Sequence, residues 1–198
     1  MLFRSGASYQ TGSSFSNLPG GNYSIVILDG NGCIATSSAL ISEPTALSLN
    51  TLASSSTCGN SNGSIQTLAS GGAAPYQYSI NNGSNFQSSG TFSNIAQGNY
   101  TVLISDANGC TTTSPITVNN LAGPVVQNST STNITCSGFN DGSISLSTQG
   151  GTLPITYVLN GGGTSQSIGY FNGLSTGAYT VTATDANGCS VNTTATIT

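Results

Sequence analysis

Histidine, lysine and tryptophan are absent from this chain of 198 residues, and its single basic residue is Arg4. Without His or Lys the common proton-transfer bases and Schiff-base amines are missing. The carboxylates, Asp29, Glu43, Asp106, Asp141 and Asp185, are scattered singly and form no acid–base pair. No Ser stands in a nucleophile-elbow context. Catalysis is therefore not expected, nor is a cofactor or a bound metal. One arginine cannot neutralise a phosphate track, which excludes nucleic acid as a partner. The strongest apolar run, residues 25–28, is far too short to span a membrane as a helix. Met1-Leu2-Phe3-Arg4 is followed by no apolar stretch, so it does not read as a signal peptide. A targeting segment, if one exists, would lie outside these residues.

Charged residues make up 3% of the chain and leave a net charge of −4. Gly, Ser, Thr and Asn fill the places that Lys and Glu usually take. Such a surface has weak electrostatic protection against self-association. Glycan cover or deliberate assembly with copies of itself would compensate, and both suit an extracellular setting. Helix formers are scarce, whereas Thr, Val, Ile and Tyr favour pleated, half-buried strands. The chain reads as all-β.

The sequence repeats itself. Gly21-Asn22-Tyr23 through Asp29-Gly30-Asn31-Gly32-Cys33 recurs as Gly98-Asn99-Tyr100 through Asp106-Ala107-Asn108-Gly109-Cys110. It recurs again as Gly177-Ala178-Tyr179 through Asp185-Ala186-Asn187-Gly188-Cys189. A second block also occurs twice. Cys58, Asn62-Gly63-Ser64-Ile65, Gly71-Gly72 and Pro75-Tyr76-Gln77-Tyr78 match Cys136, Asp141-Gly142-Ser143-Ile144, Gly150-Gly151 and Pro154-Ile155-Thr156-Tyr157. Residues 6–23 align without a gap to 83–100. This divides the chain into a partial repeat over 1–43, its trailing half only, and complete repeats over 44–120 and 121–198.

Strand and turn signals alternate closely within each repeat, as they do in β-sandwiches. Tyr100, Val102 and Ile104 should face inward, as should Tyr23, Ile25 and Ile27, and Tyr179, Val181 and Ala183. Asp-x-Asn-Gly then closes a hairpin, with Gly supplying a positive φ. The approach to Tyr23, Tyr100 and Tyr179 has the form of a tyrosine corner, in which a core tyrosine bonds the backbone upstream through its hydroxyl. These features predict tandem immunoglobulin-like β-sandwiches of about seven strands, repeating every 78 or so residues.

The pattern Cys…(Asn/Asp)-Gly-Ser-Ile…Gly-Gly…Pro-Tyr-x-Tyr…Gly-x-Tyr-Thr-Val…Asp-Ala-Asn-Gly-Cys resembles the SprB-type repeat of surface adhesins and gliding-motility proteins of gliding bacteria. The resemblance covers nearly the whole chain. It implies export to the bacterial cell surface, an immunoglobulin-like fold and a structural or adhesive role as a stalk or filament. The partial repeat departs by lacking its front half. Either these residues belong to a longer polypeptide, or another chain supplies the missing strands.

Five cysteines recurring once per period argue for disulfides and an oxidising compartment. Pairing within repeats would join Cys58 to Cys110 and Cys136 to Cys189, leaving Cys33 over, each bridge contributing roughly 4 kcal/mol on the chain-entropy estimate. Strand direction supports a rival. The corner before the second strand and the last hairpin should lie at opposite ends of a sandwich. The bridge would then run between neighbouring repeats, as Cys58 to Cys189, or between chains.

Other features have plainer readings. Asp29, Asp106 and Asp185 could be calcium ligands, but Asp here commonly braces a tight turn, and the further oxygens calcium needs are missing nearby. Asn22, Asn62, Asn82, Asn99, Asn128, Asn133 and Asn192 open Asn-x-Ser/Thr sequons, frequent by chance in such a composition; glycan on Ser or Thr is also expected. The outward residues Val26, Leu28 and Leu103 are candidates for a face that packs on another protomer. Tyr9, Phe86 and Tyr170, if exposed, would favour an alternative function, a module that binds surface glycans.

Overall fold

The computed structural model describes residues 2–4 (backbone only), 10–160 and 162–198. The expectations placed on Met1 and Tyr9 fall outside them. Among the described residues every regular element is a strand.

The middle repeat contains β4 (Ser48–Ser54), β5 (Ser56–Thr57), β6 (Gly63–Ser70), β7 (Gln77–Ser79), β8 (Thr91–Ile95), β9 (Gly98–Ser105) and β10 (Thr111–Val118). They form two three-stranded sheets, ordered β4-β6-β8 and β10-β9-β7. The last repeat contains β12 (Pro124–Thr132), β13 (Gly142–Gly150), β14 (Thr156–Leu159), β15 (Tyr170–Leu174), β16 (Gly177–Thr184) and β17 (Ser190–Ile197). Its sheets, β12-β13-β15 and β14-β16-β17, have the same order. Each pair of sheets is an immunoglobulin-like sandwich.

Among the described residues, six sandwich strands are present in each complete repeat where about seven were expected. The chain after β7 runs through Asn81, Asn82 and Gly83, where Asn82 and Gly83 take positive φ. It then returns for a single bridge of Tyr78 with Gln87. A turn of this kind uses up the residues that a further edge strand would need.

The inward faces meet in two cores. One holds Ile65, Tyr78, Val102, Ile104 and Val118; the other holds Ile144, Leu146, Tyr157, Leu174, Val181, Ala183 and Ile197. Alternation along β9 and β16 places Val102, Ile104, Val181 and Ala183 fully out of solvent, as a period of two requires. The cores differ in side-chain size at equivalent positions, Val118 in one matching the larger Ile197 in the other. Ile104 corresponds to the smaller Ala183, and half-buried Thr67 beside the core corresponds to the larger Leu146. Gly90 and Gly169 allow the close crossing beside them, since a Cβ on either would run into the carbonyl of Thr67 or Leu146. Pro115 sits in β10, an edge strand, where its missing N–H breaks no ladder.

The leading segment forms one three-stranded sheet from β1 (Leu2–Arg4), β2 (Gly21–Leu28) and β3 (Ile34–Ile41), ordered β1-β2-β3. β2 and β3 pair as β9 and β10 do. β1 takes the place that β7 has beside β9, with Leu2 opposite Ile27 where Tyr78 lies opposite Ile104. Ile27 was expected inward, yet it is 44% exposed whereas Ile104 is fully buried. No facing sheet covers it among the described residues.

Candidate functional site

The two complete sandwiches are joined by residues 119–123, and the densest set of contacts that cross between repeats lies there. β11 (Asn120–Leu121) runs parallel to β5. The Ser56 N–H donates to the Asn119 carbonyl at 2.8 Å, and the Cys58 N–H donates to the Leu121 carbonyl at 3.0 Å. The Gly59 N–H donates to Asn120 Oδ1 at 3.0 Å. Ser56 is fully buried beneath this seam. The linker is thus stitched to the corner of the middle repeat and does not swing as a flexible tether would.

Cys58 on that corner is bonded to Cys189 in the last hairpin of the following repeat, with Cα atoms 5.2 Å apart at a sequence separation of 131. Cys33, Cys110 and Cys136 are exposed thiols. Pairing within repeats, Cys58 with Cys110 and Cys136 with Cys189, is therefore corrected. The reason is the length of β6. Cys58 precedes its start, whereas the Cys110 hairpin is anchored past its end, where the Ala73 N–H donates to Asp106 Oδ2 at 2.9 Å. Eight residues of strand span about 26 Å, and bridged Cα atoms need to lie within about 7 Å. The corner of one repeat instead meets the hairpin of the next. Gly123 makes room, since a Cβ there would come within 2.6 Å of the Cys189 Cβ.

The hairpins that carry cysteine are built alike. Asp29 Oδ1 accepts the N–H groups of Asn31 and Cys33, both at 2.8 Å. Asp106 Oδ1 accepts those of Asn108 and Cys110, and Asp185 Oδ1 those of Asn187 and Cys189. The second oxygen of Asp185 accepts the Thr152 N–H at 3.0 Å, matching Asp106 and Ala73. These donors hold the carboxyls of Asp106 and Asp185 below the ordinary aspartate value. The Ala73 and Thr152 N–H groups contribute most, and burial of the carboxyls opposes them. Asp29 is lowered chiefly by the Cys33 N–H. Among the described residues no group of three His, Cys, Asp or Glu side chains is placed to hold a metal ion.

The Tyr23, Tyr100 and Tyr179 hydroxyls donate to the carbonyls of Pro19, Ala96 and Ser175, each four residues upstream, at 2.7, 3.0 and 3.0 Å. A second recurring clamp has no counterpart in the motifs above. The Gln10 amide donates to Gly12 and Ser14 carbonyls, Gln87 to Ser89 and Thr91, and Gln166 to Ile168 and Tyr170. The recurrence of Gln at the repeat interval was the signal available for it.

Val26, Leu28 and Leu103 are half-buried. Leu103 lies between Ser79 and Thr113 in its sheet, and Val26 between Phe3 and Thr36. Phe86 is 46% and Tyr170 50% exposed. They are not equivalent, since Phe86 precedes Gln87 while Tyr170 follows Gln166. A depression of about 220 Å³ beside Phe86 is lined by Ile80, Asn81, Asn85, Gln87 and Phe92.

The model of the SprB repeat matches the chain at residues 51–85 and 128–164, each spanning the corner cysteine, the second strand and the Gly-Gly turn. The chain is thus similar to the SprB repeat at two places, one in each complete repeat. No curated protein sequence matches it. Among solved structures it is similar to the N-terminal eight Ig domains of Down Syndrome Cell Adhesion Molecule, at 14% identity and a TM-score of 0.42, over 89% of this chain and 28% of that one. It is similar also to Sidekick-1 immunoglobulin domains 1–5, at 15% identity and a TM-score of 0.38, over 99% of this chain and 52% of that one. For Drosophila OTK extracellular domains 3–5 the values are 14% and 0.36, over 90% and 70%. The chain thus spans about a quarter of the first of these and about half of the second.

Proposed function

We propose that this chain is a non-catalytic segment of a bacterial cell-surface protein, in which SprB repeats are stacked end to end as a stalk or filament. The repeat boundaries are taken in the two linkers, residues 42–46 and 119–123. The observation that carries the reading is the joint between repeats. A parallel strand pair and a disulfide hold one sandwich on the next, and a linear spacer needs such joints where an active site needs a convergent pocket. The disulfide also favours an oxidising location outside the cytoplasm. Half-buried Val26, Leu28 and Leu103 are the surface over which copies would associate side by side. Electron microscopy of the native material should show strings of beads at a regular spacing; isolated globules without periodic units would overturn the reading.

The depression beside Phe86 supports a second reading, attachment to surface glycans. An exposed aromatic ring offers a face for the C–H side of a sugar, and the Asn and Gln amides around it can both donate to and accept from hydroxyls. On this reading Phe86→Ala lowers glycan-array binding tenfold or more without changing the circular dichroism. Binding unaffected by the substitution would remove it.

A further inference from the structure

The bond at the joint has two sides, and the last repeat carries a second copy of one of them with nothing bonded to it. The side in question is the corner. In the middle repeat, Asn62 braces it by accepting the Thr57 N–H and donating to Thr57 Oγ1, both at 2.8 Å. In the last repeat Asp141 does the same to Thr135, accepting its N–H at 3.0 Å and its hydroxyl at 2.5 Å. Cys58 follows Thr57, and Cys136 follows Thr135. The second corner is thus built and held in the absence of a partner, with its thiol exposed.

An independent observation shows where the next piece of chain would pass. Val118 and Ile197 end equivalent strands, opposite Gly98 and Gly177. The residue after Val118, Asn119, begins the linker that seams onto Ser56 and Cys58. The residue after Ile197, Thr198, already donates its N–H to Asn133 Oδ1 at 3.0 Å, just ahead of Ile134 and the corner. The exposed ring of Phe139, in the turn that follows Cys136, adds an apolar lip at this end of the sandwich.

From these we infer that Cys136 is a disulfide site for the hairpin cysteine of a further SprB repeat following in series, so that bonds run from each corner to the next hairpin as a ladder. The inference stands apart from what the surface binds and from whether the array is a stalk. The partner has a defined chemistry: an Asp-x-Asn-Gly-Cys hairpin whose incoming linker carries glycine in the place of Gly123. The other exposed hairpin thiol of a complete repeat, Cys110, does not meet that condition. The fifth residue after β10 is Gly123, but the fifth after β3 is Ala46, and its methyl would occupy the space the cysteine Cβ needs. Oxidised glutathione suffices as the oxidant. One protein thiolate displaces a glutathione thiolate to give a mixed disulfide. The partner thiolate then displaces the second, so two thiols and one oxidised glutathione yield one protein disulfide and two reduced glutathiones.

The test extends the full chain after Thr198 with a duplicate of residues 120–198 and maps peptides without reduction after equilibration in a glutathione buffer. The expected result is a Cys136 peptide joined to the duplicate of the Cys189 peptide, beside the Cys58–Cys189 peptide. Three thiols should then remain per extended chain, where five would remain if the original bond alone formed. A free Cys136 beside an intact Cys58–Cys189 bond would overturn the inference, and so would loss of both bonds. In a second arm Cys58→Ser is made in the unextended chain. Cys189 should then stay a thiol, and a Cys136–Cys189 bond within the repeat would contradict the corner-to-hairpin rule.

Discussion

Thr67 holds a side-chain oxygen out of water with no hydrogen-bond partner, which no other buried side-chain N or O does among the described residues. Its counterpart in the last repeat is Leu146, which fills the same layer of core with carbon. A hydroxyl buried without a partner costs on the order of 1–3 kcal/mol. Thr67→Val keeps the shape and removes the cost. It should stabilise the middle repeat by about 1 kcal/mol, read as a higher midpoint in urea. A lower midpoint would show that the hydroxyl does find a partner.

Among the elements, the hairpins that carry cysteine should respond to pH. The carboxyls of Asp106 and Asp185 are held below the ordinary value by backbone N–H donors. A group with a depressed folded value stabilises the fold above its unfolded value, and that contribution is lost as pH falls through the folded value. The hairpins should therefore be insensitive from neutrality down to about pH 4 and weaken in stronger acid. Asp106→Asn places an amide where the Ala73 N–H needs an acceptor. The middle repeat should be less stable at pH 7 and should lose much of its acid dependence, followed by tyrosine circular dichroism. An unchanged acid profile would remove Asp106 from the account.

The strands flanking these hairpins were legible in the sequence because alternation leaves a plain trace: Val102 and Ile104, or Val181 and Ala183, can face a core from only one register. The turn after β7 was harder, since Asn81-Asn82-Gly83 sits between residues that also suit a strand. Ile27 has the sequence of a core residue, and its exposure follows from which strands surround it, a property no local pattern contains. The cysteine partners were ambiguous for a different reason. Repetition places a corner and a hairpin in every unit, so spacing alone fits bonds within a repeat as well as bonds between them. Only the ends of β6, with Cys58 before one and Ala73 after the other, separate the two.

Across the whole molecule the bond from Cys58 to Cys189 closes a loop containing most of both complete repeats. On the chain-entropy estimate a closure of this length is worth up to roughly 5 kcal/mol. Each sandwich has its own buried cluster, so reduction should leave both folded while lowering their unfolding midpoints. A midpoint that is the same with and without reductant would mean that the sulfurs are not joined.

The same bond changes how the molecule answers a pull on its two ends. Tension entering from the N-terminal side reaches Cys58, crosses through sulfur to Cys189 and leaves along β17. Strands β6 to β16 lie on a branch that the disulfide bypasses, so tension along the covalent chain does not pass through them. Only β4 and β5 of one sandwich and β17 of the other can be peeled away. The stretch of chain from one cysteine to the other, a sequence separation of 131 or about 45 nm when extended, is kept in reserve until a reductant releases it.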